Sequence, residues 1–253
     1  MPKYSIVIPS FNAAPTIGAT LESVVNQTFR DFEILLIDGG STDDTLTIAE
    51  RYRPFISYQV SERDKGIYDA MNKGMRQAKG QYIIFLGADD VFHNHQVLSD
   101  ADPFLKEEKV YYGQSYFVNK RIVYDGKFHA YKFALRNICH QAIFYPAGVL
   151  KQYEFDLRYP LLADYHLNLL LWKQKVKFEY INIIVTNFYD GGASAVAKDE
   201  YFEQNKIRLI QENLGLLPSL YARFRRFIFP VQKVILGWLR RNLQPQQQAE
   251  KEL

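Results

Sequence analysis

Four short polar segments in the first ninety residues have side chains that could do chemistry. They are Pro9-Ser10-Phe11-Asn12, Asp38-Gly39-Gly40-Ser41, Glu62-Arg63-Asp64 and Gly87-Ala88-Asp89-Asp90, and all but the first carry carboxylates. Crowded carboxylates repel one another, and a divalent cation commonly relieves that repulsion. Oxygen ligands suit Mg²⁺ or Mn²⁺, and Mg²⁺ typically takes one or two carboxylates plus substrate phosphates. Brought together, the segments would suit a metal-bound diphosphate.

Each polar segment follows a short apolar run of the kind that forms a buried strand. The predicted strands cover residues 5–8, ending at Pro9, and residues 34–37, 56–60 and 82–86. Apolar residues recur at helical spacing between these runs. The predicted helices cover residues 17–25, a segment that starts with a capping-box pattern at Ser41 and Asp44, and residues 67–78 with Gly80 as the stop. This βαβαβαβ order predicts an open parallel sheet, whose ligands bind outside the carboxyl ends of the strands.

The second half of the chain has a different texture. Residues 111–118 and 122–124 predict a hairpin, and Asp125-Gly126 is a turn signal. A helix is predicted over residues 164–175, a strand over 178–185 and a helix over 198–213. Because no linker stands out before Gly215, we expect one domain over residues 1–215. Its nucleotide-binding half would span about 1–92 and its acceptor half about 93–215, followed by a separate segment over 216–253.

That last segment is basic. Between Glu212 and Glu250 the chain has no acidic residue but six cations, which are Arg223, Arg225, Arg226, Lys233, Arg240 and Arg241. Arginines and lysines beside Phe, Trp and Leu in a helix are typical of an anchor on an anionic membrane surface. The alternative is a helix packed on the domain or on another subunit. The tail leaves the body mildly acidic, so we expect no nucleic-acid partner.

Composition excludes several other classes. With 47% hydrophobic residues the chain can bury a core, and the single Cys139 cannot form an intramolecular disulfide. No apolar run approaches the roughly 18 residues of a spanning helix, and no signal peptide is evident. We therefore expect a cytoplasmic protein, either free or peripheral on the inner face of the cell membrane. No Gly-x-Gly-x-x-Gly follows the first strand and there is no P-loop, which disfavours dinucleotides and simple NTPase chemistry.

Three motifs, in this order and spacing, resemble the family 2 glycosyltransferases of the GT-A fold. They are Ser5-Ile6-Val7-Ile8-Pro9-Ser10-Phe11-Asn12, Ile37-Asp38-Gly39-Gly40-Ser41-Thr42-Asp43 and Asp64-Lys65-Gly66-Ile67-Tyr68-Asp69-Ala70-Met71-Asn72. Residues 82–90 match the strand that leads into the family's acidic metal motif. The resemblance is dense over about residues 4–92 and looser to about 195. It implies an α/β protein with a GT-A-type, Rossmann-like, mostly parallel open sheet.

The resemblance also implies roles for the strand-end residues. Asp90 is the counterpart of the metal ligand, and Asp89 of the residue that faces the ribose or the diphosphate. Asp38 and Asp64 correspond to acids that contact the nucleotide, and Pro9 belongs to the same nucleotide side. Ala88 stands where the family often has an acid.

In the second half, the resemblance assigns the catalytic base to Asp164, preceded by Ala163 where a Glu is usual. The alternative is an acid that merely benefits from the dipole of a helix N-terminus. His140-Gln141 and Gly191-Gly192-Ala193-Ser194 match acceptor-side or diphosphate-covering loops. A core histidine and an ordinary loop turn are the alternatives there.

The resulting expectation is an inverting transferase with a divalent metal. It would move a sugar from a nucleoside-diphosphate sugar to a hydroxyl of a saccharide acceptor, and we expect a lipid-linked acceptor in cell-surface polysaccharide biosynthesis. One alternative is a nucleotidyltransferase that makes sugar nucleotides, although no Gly-rich, Lys- or Arg-bearing loop follows the first strand. The other is a non-catalytic module that binds a saccharide or a membrane.

Overall fold

The computed structural model describes residues 1–189 and 197–226. Its strands are β1 (Tyr4–Ser10), β2 (Phe32–Asp38), β3 (Ile56–Ser61), β4 (Tyr82–Phe85), β5 (Val91–Phe92), β6 (Val110–Phe117), β7 (Ile122–Tyr124), β8 (Ile143–Pro146) and β9 (Phe178–Phe188). Its helices are α1 (Ile17–Val25), α2 (Thr45–Ala49), α3 (Ile67–Gln77), α4 (Val97–Ala101), α5 (Ala130–Phe133), α6 (Ala147–Leu150), α7 (Ala163–Lys173), α8 (Glu200–Leu214) and α9, which occupies residues 216–226. Each strand and helix named in the sequence analysis is present.

One sheet joins both halves of the domain, in the order β3-β2-β1-β4-β8-β6-β9-β5, with β7 paired to β6. β1 lies between β2 and β4 and parallel to both, and β3 is parallel to β2. β8 runs antiparallel to β4 and β6, and β9 is parallel to β6. The longest ladders are therefore parallel, which confirms the predicted mostly parallel α/β sheet. Short antiparallel ladders connect the two halves of the domain.

Helices cover both faces of the parallel part of the sheet. Ile6 and Ile8 of β1 pack on the side of α1, whereas Val7 packs on the side of α3 with Met71 and Met75. All seven residues of β1 are buried, because alternate side chains enter two different cores. Because both faces of β1 are buried, Ile6, Val7 and Ile8 form a continuous apolar run. The polar segment therefore begins at the carboxyl end of the strand.

Two of the predicted helix signals were wrong. α3 ends at Gln77, and Ala78 follows with an ordinary φ of −58°. Gly80 is instead required by a close approach, because a Cβ there would lie 2.6 Å from the backbone nitrogen of Ser5. Ser41 does not cap α2, which begins at Thr45; its hydroxyl donates to Asp38 Oδ1 at 2.5 Å. A capping box places both partners in one helix turn, whereas here the serine is used by the preceding strand end.

At Gly215 φ is +95° and α8 gives way to α9. The division of the chain there into a domain and a separate segment stays a prediction. Ser219 and Ala222 of α9 are nevertheless buried, and Ala222 packs with Ala134 and Ile210. The start of the basic segment therefore packs on the domain. Lys233, Arg240 and Arg241, like the loop over residues 191–194, lie outside the described residues. Within residues 1–189 and 197–226, no helix combines the length and the hydropathy needed to cross a bilayer.

Candidate active site

Two adjoining cavities open at the carboxyl ends of the parallel strands. The first, of about 650 Å³, takes wall residues from all four polar segments, including Pro9, Gly39, Asp64 and Asp89. The second, of about 490 Å³, is lined by Asp90 and Asp164. Ile67, Gly87 and Asp89 line both. We call them the donor cavity and the acceptor cavity. The structure thus brings the strand-end segments together and places Asp164 next to them.

The loop after β1 forms one wall of the donor cavity. Its Phe11 ring is 64% exposed and lies beside Gly39. Two hydrogen bonds tie this loop to the loop after β2: Asn12 N donates to Ser41 Oγ at 2.8 Å, and Thr42 N donates to Asn12 Oδ1 at 2.9 Å. An exposed aromatic face on a fixed loop is a surface on which a flat ring can stack. From the sequence, Pro9 was given a nucleotide-side role and Phe11 was not, although an aromatic residue within a polar strand-end segment was a signal for it.

Asp38 lies beneath the donor cavity and is fully buried. Its carboxylate accepts five hydrogen bonds, from the hydroxyls of Ser10, Ser41 and Ser61 and from the backbone N–H groups of Gly40 and Ser41. Burial alone would raise the pKa of Asp38, but the donors, led by Ser41 and Ser61, bring it below its usual value. Gly39, rather than Asp38, reaches the cavity wall. Asp38 is therefore placed to hold this loop, and its contact with a nucleotide stays a prediction.

Asp64 faces the donor cavity on the other side of Gly39, and its Oδ2 lies 2.9 Å from where a Gly39 Cβ would be. Lys73 of α3 donates to Asp64 Oδ1 and lies 2.9 Å from Glu62 Oε1. Burial raises the pKa of Asp64, although the Lys73 ammonium opposes that rise. Lys73 was not predicted as a site residue, because in the sequence it is one of many lysines and arginines in helical segments. Its contact with the strand end appears only in the fold.

The carboxylates of Asp89 and Asp90 both lie close to the position that a side chain at Gly87 would occupy. A Cβ at Gly87 would be 2.9 Å from Asp89 Oδ1 and 2.9 Å from Asp90 Oδ2, so any larger residue would press on both carboxylates. Asp89 is exposed, whereas Asp90 is 1% exposed. Burial, and then the charge of Asp89, raise the pKa of Asp90 to about 7. A cation between these carboxylates would offset both effects.

Gln141 and Tyr189 hold the Asp90 carboxylate in place. Gln141 Nε2 donates to Asp90 Oδ2 at 2.7 Å, and Tyr189 N donates to Oδ1 at 3.2 Å. The thiol of Cys139 donates to Gln141 Oε1 at 2.9 Å, which leaves the amide N–H₂ facing Asp90. Burial raises the pKa of that thiol to about 12, which disfavours the thiolate form. Gln141 is thus a partner of the acidic pair and not merely a core residue.

The donor set determines which cation this pair fits. Two carboxylates, with ligand positions left for diphosphate oxygens, suit Mg²⁺ or Mn²⁺. Among the described residues, no group of three or more His, Cys, Asp or Glu side chains is placed to hold a metal by itself. The arrangement therefore fits a cation that arrives with a phosphorylated ligand.

Asp164 lies in the first turn of α7 and has four polar partners. Oδ1 accepts from the Tyr68 hydroxyl at 2.8 Å and from Tyr165 N at 2.8 Å. Oδ2 accepts from Asn137 Nδ2 at 2.9 Å and lies 3.1 Å from His140 Nδ1. Burial, and then the Asp164 charge, raise the pKa of Tyr68 well above its usual value, so Tyr68 remains a donor. An acid that only served the helix dipole would not need these partners from distant parts of the chain.

His140 completes this arrangement. Its Nδ1 faces Asp164, whereas its buried Nε2 has no hydrogen-bond partner among the described residues. Its imidazole lines the acceptor cavity together with Asn137. Of the two interpretations left open for His140-Gln141, the cavity-side one fits this geometry better than a hydrogen-bonded core histidine. Tyr68 and Asn137 were missed as site residues, because their distance from Asp164 along the chain gives no sequence signal.

This fold, with one cavity at the carboxyl ends of the strands and a second that brings Asp164 to the same cavity as the acidic pair, is that of a GT-A-type glycosyltransferase. The family model for glycosyl transferase family 2 matches residues 5–159. The chain is 33% identical to a PGL/p-HBAD biosynthesis glycosyltransferase of Mycobacterium bovis, across 95% of this chain and 99% of the relative. It is 30% identical to the Escherichia coli UDP-Glc:alpha-D-GlcNAc-diphosphoundecaprenol beta-1,3-glucosyltransferase WfaP, across 84% of this chain and 86% of the relative. The chain therefore belongs to glycosyl transferase family 2.

Solved structures agree on the fold. S. aureus TarS 1-349 in complex with UDP is similar with a TM-score of 0.67 and 23% identity, over 82% of this chain and 64% of that one. A mannosyltransferase from Pyrobaculum calidifontis, PcManGT, in complex with GDP-Man and Mn²⁺, is similar with a TM-score of 0.63 and 16% identity, over 96% of this chain and 76% of that one. Of the three functions considered, the glycosyltransferase is the one confirmed.

Proposed function

We propose that the protein transfers a sugar from a nucleoside-diphosphate sugar to a hydroxyl acceptor with inversion at the anomeric carbon. One observation carries the proposal. Asp89 and Asp90 share the acceptor cavity with Asp164, and Asp89 also lines the donor cavity. A donor with its nucleotide in the first cavity would therefore present its anomeric carbon between the acidic pair and a single further carboxylate.

In this proposal Asp164 acts as the general base. The acceptor oxygen attacks the anomeric carbon, its O–H bond breaks, and the proton passes to Asp164. The bond from the anomeric carbon to the diphosphate breaks on the opposite side, so one displacement inverts the configuration. A divalent cation held by Asp89 and Asp90 would supply a Lewis acid for the departing diphosphate.

The contacts of Asp164 set a condition on this step. Its two oxygens already have four polar partners, and a carboxylate offers about four lone-pair sites. The acceptor hydroxyl must therefore take the place of one partner. Tyr68, Asn137 and His140 all line the acceptor cavity, so this exchange needs no opening of the core. The remaining partners keep the carboxylate oriented.

On the donor side, the structure supports a nucleotide bound at the strand ends. Phe11 offers a ring for stacking, Asp64 lies across from it, and Asp38 holds the connecting loop in shape. TarS and PcManGT are known in complex with UDP and with GDP-Man. We infer a nucleoside-diphosphate sugar as the donor class for this chain.

A lipid-linked saccharide is the acceptor class we propose, and the name of WfaP, a transferase for a diphosphoundecaprenol-linked sugar, supports it. Leu216, Leu217, Leu220 and Phe224 of α9 are all exposed, although they are large and apolar. Exposed apolar side chains on a helix that also carries Arg223 are suited to an anionic membrane surface. We therefore propose peripheral membrane association through this face.

Vesicle co-sedimentation tests the membrane contact. Leu217→Gln with Leu220→Gln changes exposed side chains only and should weaken binding of the full chain to anionic vesicles. Tyr201→Gln, an exposed residue of α8, is the control. Absence of vesicle binding by the wild-type chain would contradict the contact.

A donor screen tests the activity itself. The full chain is incubated with UDP-, GDP- and dTDP-sugars, with Mn²⁺ or with EDTA, and release of the nucleoside diphosphate is measured. We expect release from one donor class, only with metal, and faster with a saccharide acceptor. Equal release by Asp164→Asn in the presence of acceptor would contradict the proposed base, and binding of no donor would contradict the function.

A further inference from the structure

A third cavity, of about 330 Å³, lies outside the donor and acceptor cavities, between the segment after α5 and the helices α8 and α9. We call it the basic cleft. Its charged wall residues are Arg136, Lys206, Arg225, Arg226 and Glu203. Four cations thus face one carboxylate. Nothing in the proposed transfer step uses this excess of positive charge.

Two of these cations have partners nearby. Arg136 Nη1 lies 2.9 Å from Asp125 Oδ2, and Lys206 Nζ lies 3.8 Å from Glu203 Oε1 and 3.4 Å from the carbonyl oxygen of Leu135. Burial lowers the pKa of Lys206, Glu203 opposes this, and nearby Arg226 lowers it further. A bound anion would compensate the buried ammonium of Lys206.

The basic cleft adjoins the acceptor cavity. Leu135, Arg136 and Lys206 line both. A ligand held in the basic cleft would therefore contact side chains that also line the acceptor cavity. Asp164 lines that cavity as well. A short extension of such a ligand could enter the acceptor cavity.

The outer side of α9 is apolar. Leu216, Leu220 and Phe224 recur every four residues and are exposed, whereas Ser219 and Ala222 on the opposite side are buried against the domain. Arg225 and Arg226 lie on the same helix and line the cleft. One helix thus combines a cationic cavity with an exposed hydrocarbon-compatible face. This combination matches a phosphorylated lipid better than a free anion.

We propose that the basic cleft binds the phosphate or diphosphate that joins the saccharide of the acceptor to its lipid. The proposal rests on the lipid-linked acceptor of the proposed function. The saccharide then extends past Arg136 and Lys206 toward Asp164, and the lipid leaves along the outer face of α9. Arginine suits this task because its planar guanidinium can donate two parallel hydrogen bonds to one phosphate.

Metal-free calorimetry tests the cleft independently of transfer. Farnesyl diphosphate and farnesol are titrated into the full chain in EDTA, which removes the cation expected to hold a diphosphate at Asp89 and Asp90. We expect the diphosphate to bind at least about tenfold more tightly than the alcohol. Arg225→Gln with Arg226→Gln should abolish this difference. Arg208→Gln, an exposed arginine of α8 paired with Glu212, should change it by less than about twofold.

Equal binding of the two compounds, an unchanged double variant, or an equal loss in Arg208→Gln would overturn the proposal. Kinetics supply the second arm: for a diphosphate-linked lipid acceptor the double variant should raise KM, and for a neutral alkyl glycoside of the same saccharide it should not. A wild-type chain that transfers to neither acceptor would count against the proposed function. The metal-free titration would still decide the cleft.

Discussion

The donor and acceptor cavities share a wall but are built in different ways. On the donor side, Asp38 is held by Ser41, Ser61 and Ser10, which lie 3, 23 and 28 residues away. Asp64 is held by Lys73, nine residues further on. On the acceptor side, Asp164 is held by Tyr68, Asn137 and His140, which lie 96, 27 and 24 residues away. The donor cavity therefore takes its wall from residues 9–89, whereas the acceptor cavity combines residues from 67 to 206 and joins both halves of the chain. We infer that donor binding and transfer can be separated by mutation.

The largest effect expected from a single substitution is on transfer. Asp164→Asn should lower kcat by ~10²–10⁴-fold, the usual contribution of a general base, while the Kd for the nucleoside diphosphate stays within about twofold. Asp156→Asn is a matched control, because this acid pairs with Arg158 and lines neither cavity. If Asp164→Asn lost donor affinity but kept turnover, the carboxylate would belong to the donor side.

Substitution of Asp90 should weaken nucleoside diphosphate binding, which Asp164→Asn should leave nearly unchanged. Asp90→Asn replaces an anionic ligand with a neutral one, so the metal-dependent part of nucleoside diphosphate binding should fall by at least about 10–100-fold, a loss that even an outer partner of a metal ligand can cause. Titration with and without Mn²⁺ measures this, and Asp100→Asn on α4 is the control. Unchanged Mn²⁺ dependence would remove Asp90 from the metal site.

Substitution of Asp38 should change the free energy of unfolding more than the rate of transfer. Asp38→Asn would place an amide N–H₂ among hydrogen-bond donors, at a cost of about 1–3 kcal/mol in the free energy of unfolding. Asp44→Asn, at the start of α2 and without a side-chain cap bond, is the control. Urea unfolding at pH 7 measures the difference.

The pH dependence of this effect follows from the lowered pKa of Asp38. A carboxyl group whose folded-state pKa is depressed stabilises the fold above its unfolded-state pKa of about 3.9, and this contribution is lost as the pH falls through the folded-state value. The gap between wild type and Asp38→Asn should therefore be widest near neutral pH and narrow below about pH 4. A gap that widened with acidification would contradict the network around Asp38.

The smallest effect is expected at Phe11. Phe11→Leu keeps apolar area but removes the flat ring, so nucleoside diphosphate affinity should fall by about fivefold, near the lower end of base–aromatic stacking. Phe55→Leu alters a similarly exposed ring that lines neither cavity and should leave affinity unchanged. Equal affinities for both variants would mean that the nucleotide does not stack on Phe11.

The same contrast explains what the sequence could predict. Apolar runs such as residues 5–8 and 34–37 predict buried strands, and a parallel sheet puts their polar ends at one edge. Asp64, Asp89 and Asp90 line the cavities at that edge, and their roles stay predictions. Tyr68 stands within a recognised motif, yet its hydroxyl contact with Asp164 depends on how α3 meets α7. No local pattern records that approach, nor the contact of Gln141 with Asp90.

Local signals failed where a residue makes its main contact outside the helix that its position predicts. Ser41 and Asp44 have capping-box spacing, but Ser41 is bound to Asp38, which propensity alone does not reveal. Gly80 follows a helix as a stop signal should, but it is needed for contact with β1. In both cases tertiary packing decided between two roles that the residue type allows.

The most direct test of a single displacement with Asp164 as base is the anomeric configuration of the first product. ¹H NMR of a reaction with the donor found in the screen gives that configuration from the coupling constant of the anomeric proton. A single displacement predicts that the product has the inverted anomeric configuration relative to the donor, from the first product formed onward. A product that retains the donor configuration would require a different arrangement of the reacting groups and would contradict the role proposed for Asp164.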